Sequence, residues 1–321
     1  MEDHAANIAL ANTVQIALAA EILRSGGLVA FPTETVYGLG ADATDDRAVA
    51  RIFETKGRPR FNPLIVHLLN AEWAQRFVTF TRAAERLALR FWPGPLTLAL
   101  PRRKECPLSL LVSAGLETVA LRVPAQATAR ALLEASGLPI AAPSANRSGR
   151  VSPTKAEHVA ADMGSDIDLI LDGGATVCGI ESTVIGFQCD APILLRSGVI
   201  SREEIEEVAG PLTIPSTPAI SSPGQMASHY APETALRLNA TRIEPEEALL
   251  AFGAAPEHAG TVRNLSPYGD LREAAANLFA MLRELDGSGA TRIAVMPIPG
   301  IGLGDAINDR LRRAAAPRDN E

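Results

Sequence analysis

Polar and cationic side chains follow several apolar segments of the chain, at positions where α/β proteins tend to bind ligands. The first set comes after the apolar run Leu28–Phe31, where Pro32 fixes the direction of the chain and Thr33 and Thr35 supply short hydrogen-bonding groups. This pattern favours a ligand-binding turn, and an ordinary capped turn explains it equally well.

A basic loop follows the next predicted helix. Lys56, Arg58 and Arg60 fall within five residues, and Asn62 adds an amide. Arginine binds phosphate through two parallel hydrogen bonds, so Arg58 indicates a phosphate clamp. Lys56 is also explained as a partner of the helix dipole. His67 lies on the apolar strand that follows, where a lone histidine is more typical of a core residue than of a catalytic one.

A third set lies among the small residues between 142 and 149, which let a ligand approach the backbone closely. Ser144 and Asn146 offer directional hydrogen bonds, and Ser152 comes shortly before a predicted helix whose free N–H groups favour an anion. A plain turn rich in serine and glycine is the alternative.

The fourth set joins two predicted strands. Ser182 and Thr183 open one strand, and Arg196 directly follows the apolar run Ile193–Leu195. An arginine beside a buried strand needs an anionic partner, either a carboxylate or a ligand. Arg122 lies between Leu121 and Val123 and needs an anionic partner for the same reason.

Composition and missing motifs limit the class of protein. The chain has 321 residues, 47% of them hydrophobic, and a net charge of −7. Its length predicts two domains, and its acidity argues against broad binding to nucleic acids or anionic membranes. The sequence has no P-loop, H-E-x-x-H or Cys/His zinc motif. With widely spaced cysteines, no long apolar run and no basic leader, we expect a cytoplasmic protein without a membrane partner.

Hydrophobic periodicity predicts alternating helices and strands, and therefore an α/β fold with a twisted, mixed first sheet. In the first helix, which Thr13 caps, Val14, Leu18 and Ile22 are expected to face inward. Further helices are predicted at Asp45–Thr55, Thr81–Phe91, Thr128–Ser136, Lys155–Met163, Arg202–Val208, Leu249–Phe252, Leu271–Leu285 and Ala306–Ala315. Strands are predicted at Leu28–Phe31, Leu64–Leu68, Leu96–Leu100, Val119–Val123, Ile140–Ala142, Leu169–Leu171, Thr183–Gly186, Ile193–Leu195, Thr261–Leu265 and Arg292–Met296.

A change of composition divides the chain. Residues 211–228 contain four prolines and no hydrophobic period, which is typical of a linker. We therefore predict a first domain over 1–210, a linker over 211–233, and a smaller three-layer α/β domain of Rossmann-like type over 234–321.

Together, and in this order, these motifs resemble one family, the YrdC/Sua5 family of threonylcarbamoyl-AMP synthases. The resemblance rests on Pro32-Thr-Glu-Thr-Val-Tyr-Gly, Lys56-Gly-Arg-Pro with Asn62-Pro-Leu and His67, Ser144-Ala-Asn, and Glu181-Ser-Thr-Val with Arg196-x-Gly. Pro223-Gly224 leading to Ser228-His-Tyr-Ala-Pro resembles the linker of the longer, Sua5-type members, and Gly302–Leu311 resembles the end of their second domain.

The resemblance implies a YrdC-like catalytic domain, a linker that acts as a lid, and a Sua5-type C-terminal domain. It implies a nucleotidyltransferase that converts L-threonine, bicarbonate and ATP into L-threonylcarbamoyl-AMP and pyrophosphate, for the t6A modification at position 37 of tRNA. Mg²⁺ would accompany ATP, with no tightly bound organic cofactor. The product would pass to a t6A transferase complex, and direct binding of tRNA would be weak at most.

The resemblance also implies roles for individual residues. The side chains expected to hold threonine are Thr35, His67, Arg122 and Ser182. Those expected to hold ATP are Lys56, Arg58, Asn62, Ser144, Asn146, Ser152, Arg196 and, from the linker, Tyr230. Lys56 and Arg58 would be the catalytic cations.

Two other functions stay open at this point. One is an RNA-binding, translation-associated module, which the acidic charge and an aromatic content of only 4% disfavour. The other is transfer of a carbamoyl or adenylyl group to a different acceptor.

Overall fold

The computed structural model describes residues 7–213, 228–257 and 260–317 and contains two sheets with helices packed against them. The strands are β1 (Ile8–Leu10), β2 (Val29–Pro32), β3 (Tyr37–Asp42), β4 (Ile65–His67), β5 (Leu96–Pro101), β6 (Thr118–Arg122), β7 (Ile140–Ala141), β8 (Leu169–Asp172), β9 (Thr183–Gln188), β10 (Ala191–Arg196), β11 (Leu236–Arg237), β12 (Glu247–Ala251), β13 (Val262–Asn264) and β14 (Arg292–Val295). The helices are α1 (Thr13–Arg24), α2 (Asp46–Lys56), α3 (Ala71–Ala74), α4 (Arg82–Phe91), α5 (Ala127–Ser136), α6 (Ala156–Met163), α7 (Arg202–Ala209), α8 (Leu271–Asp286) and α9 (Leu303–Ala315).

The first sheet has ten strands in the order β1-β8-β2-β3-β7-β4-β6-β5-β9-β10. Its pairs β1–β8, β2–β8, β4–β6 and β5–β9 are parallel, and the others are antiparallel. The prediction of a mixed sheet is confirmed. Both faces are buried: Val29 and Phe31 pack toward α1 and α5, while Leu28 and Ala30 belong to the core that includes α2 and α4. The alternation follows from the two-residue period of a strand.

The predicted inner face of α1 is wrong at two of its three residues, whereas Ile22 packs partly buried against the core, as predicted. Val14 and Leu18 are 73% and 45% exposed, whereas Ala19 and Leu23 are fully buried. Alanine lets the helix approach the sheet and α5 closely, so packing selects the neighbouring face over the one with larger side chains. The cap is also one residue earlier, because the Asn12 side chain accepts hydrogen bonds from the backbone at 3.0 Å.

The second sheet is parallel throughout, in the order β11-β14-β12-β13, and α8 and α9 share its core. The predicted helix at Leu249–Phe252 is wrong, because this run belongs to β12, which lies between β14 and β13. A parallel strand that is buried on both faces has no alternation, so its apolar run cannot be told from a buried helix by period. Within the described ranges, no helix is long and apolar enough to cross a membrane.

The first and second domains are in direct contact. Arg283 on α8 forms a two-pronged ion pair with Asp162 on α6, at 3.0 and 2.6 Å. Gly179 packs on the backbone of α8, where an added Cβ would lie 2.3 Å from the carbonyl oxygen of Ala275. The loop that follows Gly179 is therefore held against the second domain. Most of the predicted linker lies outside the described residues, including Pro223 and Gly224.

Replacing Gly304 by alanine is expected to destabilise the protein. A Cβ there would lie 1.8 Å from the carbonyl oxygen of Pro299, so the start of α9 must move. Such overpacking costs about 1–3 kcal/mol of unfolding free energy, which urea denaturation measures. Gly287→Ala is the matched control, since its nearest neighbours lie 3.8 Å away. Equal stabilities of the two variants would contradict the packing role of Gly304.

His67 is expected to make stability depend on pH. Burial, with the charge of Arg122, lowers the pKa of His67 to about 3, below its unfolded value. The contribution of the neutral His67 ring to the unfolding free energy is therefore fully present above pH 6.5 and is lost as the pH falls toward 3. About 2 kcal/mol is lost by pH 5, and His67→Gln should remove that part. Urea denaturation at pH 7 and 5 tests this, and an unchanged difference in the variant would exclude His67 as the source.

Candidate active site

A cavity lies where the ends of β2, β4, β6 and β10 meet residues 229–230, and it encloses about 50 Å³. It is lined by Thr33, Thr35, Val36, Gly38, Arg58, Ile65, His67, Arg122, Ala142, Pro143, Ser144, Glu181, Ser182, Arg196, His229 and Tyr230. The charged groups on this surface are three guanidinium groups and one carboxylate. The cavity therefore favours an anion.

One side of the cavity is organised by Arg122 at the end of β6. Its guanidinium lies 2.7 Å from the Glu34 carboxylate and donates to the Thr35 hydroxyl at 2.9 Å and to the Gly94 carbonyl at 3.2 Å. The Thr35 hydroxyl also lies 2.8 Å from that of Thr33. Arg122 and Glu34 compensate each other, so this side presents hydroxyl groups at fixed positions rather than net charge.

The opposite side is organised by Arg196 at the end of β10. It donates to the Ser182 carbonyl at 2.9 Å and to the Ser182 hydroxyl at 3.1 Å. That hydroxyl lies 2.8 Å from the hydroxyl of Thr97 on β5. Gly198 permits this arrangement, because an added Cβ would lie 2.4 Å from the Ser182 backbone. The arrangement fixes Arg196 while leaving its charge without compensation from Ser182.

Arg58 is placed by its own loop. Gly57 ends α2 in the left-handed region, at a φ of 60°, and turns the chain so that Arg58 enters the cavity wall. Its guanidinium donates to the carbonyls of Asn62 at 3.1 Å and Pro63 at 2.8 Å. Burial lowers the pKa of Arg58 to about 9, so it stays protonated at neutral pH.

Lys56 points behind the cavity wall. It donates to the Ser144 carbonyl at 2.6 Å and to the Asn146 carbonyl. Burial and the positive charge of Arg58 lower the pKa of Lys56 well below its ordinary value. The Asn146 amide is used internally, since it donates to the carbonyls of Arg147 and Arg150 at 2.8 and 2.9 Å. Lys56 therefore holds the turn that presents Ser144.

His67 contributes a neutral ring to the cavity. It is buried, meets Phe31 edge to face at 6.2 Å, and its low pKa keeps it uncharged at neutral pH. Its Nδ1 atom has no hydrogen-bond partner among the described residues. A buried nitrogen without a partner indicates a position where a ligand can bind.

The last part of the wall comes from a distant segment. Tyr230 has a φ of 61°, and its ring stacks on Phe279 of α8 with centroids 5.4 Å apart. The His229 ring lies 4.0 Å from the Tyr230 ring. Burial raises the pKa of Tyr230 to about 12, so its hydroxyl stays protonated. The second domain thereby holds one side of the cavity in place.

Glu181 connects this wall to α9. Its carboxylate accepts a hydrogen bond from the Ser152 hydroxyl at 2.7 Å and pairs with Arg310 at 3.0 Å. Burial raises the pKa of Glu181, but Arg310 and Arg196 outweigh that effect, and the pKa lies below its ordinary value. Glu181 is thus ionised, and Ser152 binds it from outside the cavity lining.

The structure brings most of the predicted site residues together. Eight of them line the cavity: Thr35, Arg58, His67, Arg122, Ser144, Ser182, Arg196 and Tyr230. The other four are buried behind its wall: Lys56, Asn62, Asn146 and Ser152. This placement favours an indirect, positioning contribution from the second group, and the assignment of each residue to ATP or threonine stays a prediction.

Sequence reasoning gave no role to Glu34, Glu181, His229 or Arg310. A signal existed for Glu34, because a buried Arg122 requires an anion and Glu34 lies directly before Thr35. No comparable signal exists for Arg310, which lies 129 residues from Glu181.

Two family models match the chain in succession. The Sua5_yciO_yrdC model, described as telomere recombination, matches residues 21–198. The Sua5_C model, described as the C-terminal domain of threonylcarbamoyl-AMP synthase, matches residues 200–316. The resemblance inferred from the motifs is confirmed.

Full-length relatives and solved structures agree with these models. The threonylcarbamoyl-AMP synthase of Pyrococcus abyssi is 43% identical to the chain, and the match covers 95% of each protein. That of Bacillus subtilis is also 43% identical, and the match covers 96% of this chain and 94% of the relative. The crystal structure of P. abyssi Sua5 complexed with L-threonine matches with a TM-score of 0.88 and 40% identity, covering 96% of each chain. E. coli YciO matches 60% of this chain, with a TM-score of 0.52 and 26% identity. The chain belongs to the Sua5-type family of threonylcarbamoyl-AMP synthases.

Proposed function

We propose that this chain condenses L-threonine, bicarbonate and ATP into L-threonylcarbamoyl-AMP and pyrophosphate, for the t6A modification of tRNA. The observation that carries the proposal is the cavity whose lining combines the guanidinium groups of Arg58 and Arg196 with the hydroxyls of Thr35 and Ser182. The structure of P. abyssi Sua5 complexed with L-threonine supports an amino acid as one of the substrates.

The groups that line the cavity suit the two substrates. Thr35 and Ser182 offer hydroxyls, and His67 offers an unpartnered nitrogen, which together suit a small polar amino acid. Arg58 and Arg196 suit the phosphates of ATP. The cavity volume is below the several hundred Å³ typical of a nucleotide site, so we infer that part of the wall moves when ATP binds. Residues 229–230 belong to a separate segment of the chain and are the part expected to move.

The reaction requires placement and charge more than a covalent nucleophile. The threonine amine adds to the bicarbonate carbon, and a C–O bond breaks to release water and leave a carbamate. A carbamate oxygen then attacks the α-phosphate as the P–O bond to pyrophosphate breaks. Negative charge grows on phosphate oxygens in this step, so the fixed guanidinium groups of Arg58 and Arg196 lower the barrier. Holding the reactants together supplies a further part of the rate. A closed cavity protects the carbamate from water.

The proposal includes Mg²⁺ bound through the ATP phosphates. Among the described residues, no group of three or more His, Cys, Asp or Glu side chains is arranged to hold a metal, so ATP would supply the ligands. The enzyme would act in the cytoplasm and pass its labile product to a t6A transferase complex. Direct contact with tRNA would be weak at most, in keeping with a net charge of −7.

Pyrophosphate release tests the reaction. With ATP, Mg²⁺ and labelled bicarbonate, we expect release to depend on L-threonine and label to appear in an adenylated product. L-Serine and simple amines at equal concentration serve as competing acceptors. Release without threonine, or preference for another amine, would contradict the proposed substrate. Absence of release over a range of Mg²⁺ concentrations would contradict the reaction class.

Replacing Arg196 by alanine tests the ATP side. A hydrogen bond to a charged group contributes about 1.5–3 kcal/mol, so ATP should bind roughly 10- to 100-fold more weakly. Titration calorimetry measures the affinity, and circular dichroism checks the fold. Arg263→Ala is the control, because Arg263 forms a half-exposed ion pair with Glu284 away from the cavity. Unchanged affinity in Arg196→Ala would remove Arg196 from the site.

A further inference from the structure

Helix α9 contacts the cavity wall through the side chain of Arg310. Arg310 is fully buried, and its Nε lies 3.0 Å from the Glu181 carboxylate of the first domain. The same guanidinium pairs with Asp309 at 3.0 Å and lies 5.4 Å from the centre of the Tyr230 ring. One cation from the second domain thus contacts both Glu181 and Tyr230, which line the cavity.

Glu181 is held at both carboxylate oxygens. Ser152 donates to Oε1 at 2.7 Å, and Arg310 pairs with Oε2. The next residue, Ser182, binds Arg196 through its carbonyl and hydroxyl. The Glu181 carboxylate is therefore adjacent in the chain to the groups that hold the Arg196 guanidinium. Among the described residues, Glu181 is the only carboxylate that lines the cavity.

We propose that Arg310 is a positioning residue that engages Glu181 and so prevents this carboxylate from neutralising Arg196. The second domain then contributes to the active site by setting its charge, beyond covering it. This inference rests on the proposed function only in taking the bound anion to be ATP.

The physical argument follows from what a buried carboxylate requires. A charge without a partner is costly in the interior, so Glu181 would turn to another cation if Arg310 were absent. Arg196 lies on the same cavity surface and already acts electrostatically on Glu181. An internal Arg196–Glu181 pair would compete with phosphate for the same guanidinium. Arg310 thus preserves the positive potential of the site.

A role in domain docking alone explains Arg310 less well. Arg283 and Asp162 already join α8 to α6 through two hydrogen bonds, and Gly179 packs directly on the α8 backbone. These contacts lie outside the cavity lining. A substitution at Arg283 therefore weakens the contact between the domains without changing the charges in the cavity, and it serves as the matched control.

The experiment measures ATP affinity by titration calorimetry in the full chain, without threonine or bicarbonate. Arg310→Met should weaken ATP binding by at least about tenfold, because the released Glu181 cancels Arg196. Adding Glu181→Gln to that variant should restore affinity to within about threefold of wild type. Arg283→Met should also stay within about threefold. Rescue by the second substitution is the readout that a purely structural role would not produce.

Two results would overturn the inference. One is a double variant as weak as Arg310→Met, and the other is an equal loss in Arg283→Met. If Arg310→Met fails to fold, the double variant decides, because removing both charges of a buried pair is tolerated far better than removing one. Near-wild-type affinity then supports the inference, and a tenfold loss contradicts it. A chain with this binding pattern but no threonine-dependent pyrophosphate release would refute the proposed function alone.

Discussion

The site depends on burying guanidinium groups whose hydrogen bonds go to main-chain carbonyls. Arg58 and Arg196 are anchored to main-chain carbonyls, and these acceptors satisfy hydrogen bonds while leaving the positive charge in place. Arg122 is different, because Glu34 neutralises it. The same residue type therefore has two uses in one cavity: the carbonyl-bound arginines suit phosphates, and the carboxylate-bound arginine fixes hydroxyl groups.

This requirement explains why the polypeptide is arranged as it is. Carbonyls can point at a side chain only where the backbone leaves regular structure, so the arginines lie at strand ends or in the loop after α2. Those loops must be held in place by residues that lie outside the cavity lining. Lys56 supports the turn at Ser144 from the first domain, and Arg310 supports the loop at Glu181 from the second. The two domains thus share the task of fixing one set of loops.

Sequence patterns predicted the parts of this arrangement that are local. The helices predicted at Asp45–Thr55 and Arg202–Val208 are present as α2 and α7, with ends that agree to within one residue. The motifs also identified the residues that converge on the cavity. Local patterns could not select between two apolar faces of α1, and could not tell β12 from a buried helix, because packing decides both. Nor could they show that Lys56 points behind the wall, since its acceptors lie about 90 residues away.

The backbone conformation of Tyr230 costs about as much free energy as the burial of its ring provides. An L-residue at a φ of 61° carries about 1–2 kcal/mol of steric strain, and ordering the residue costs a similar amount. Burying the ring returns about 2 kcal/mol, and stacking on Phe279 about 1 kcal/mol more. These gains and costs are of similar size, so the contact with the Arg310 guanidinium, 5.4 Å from the ring centre, adds to a small margin that keeps Tyr230 in place. With so small a margin, a ligand contact worth about 1 kcal/mol would change the occupancy of this position roughly fivefold.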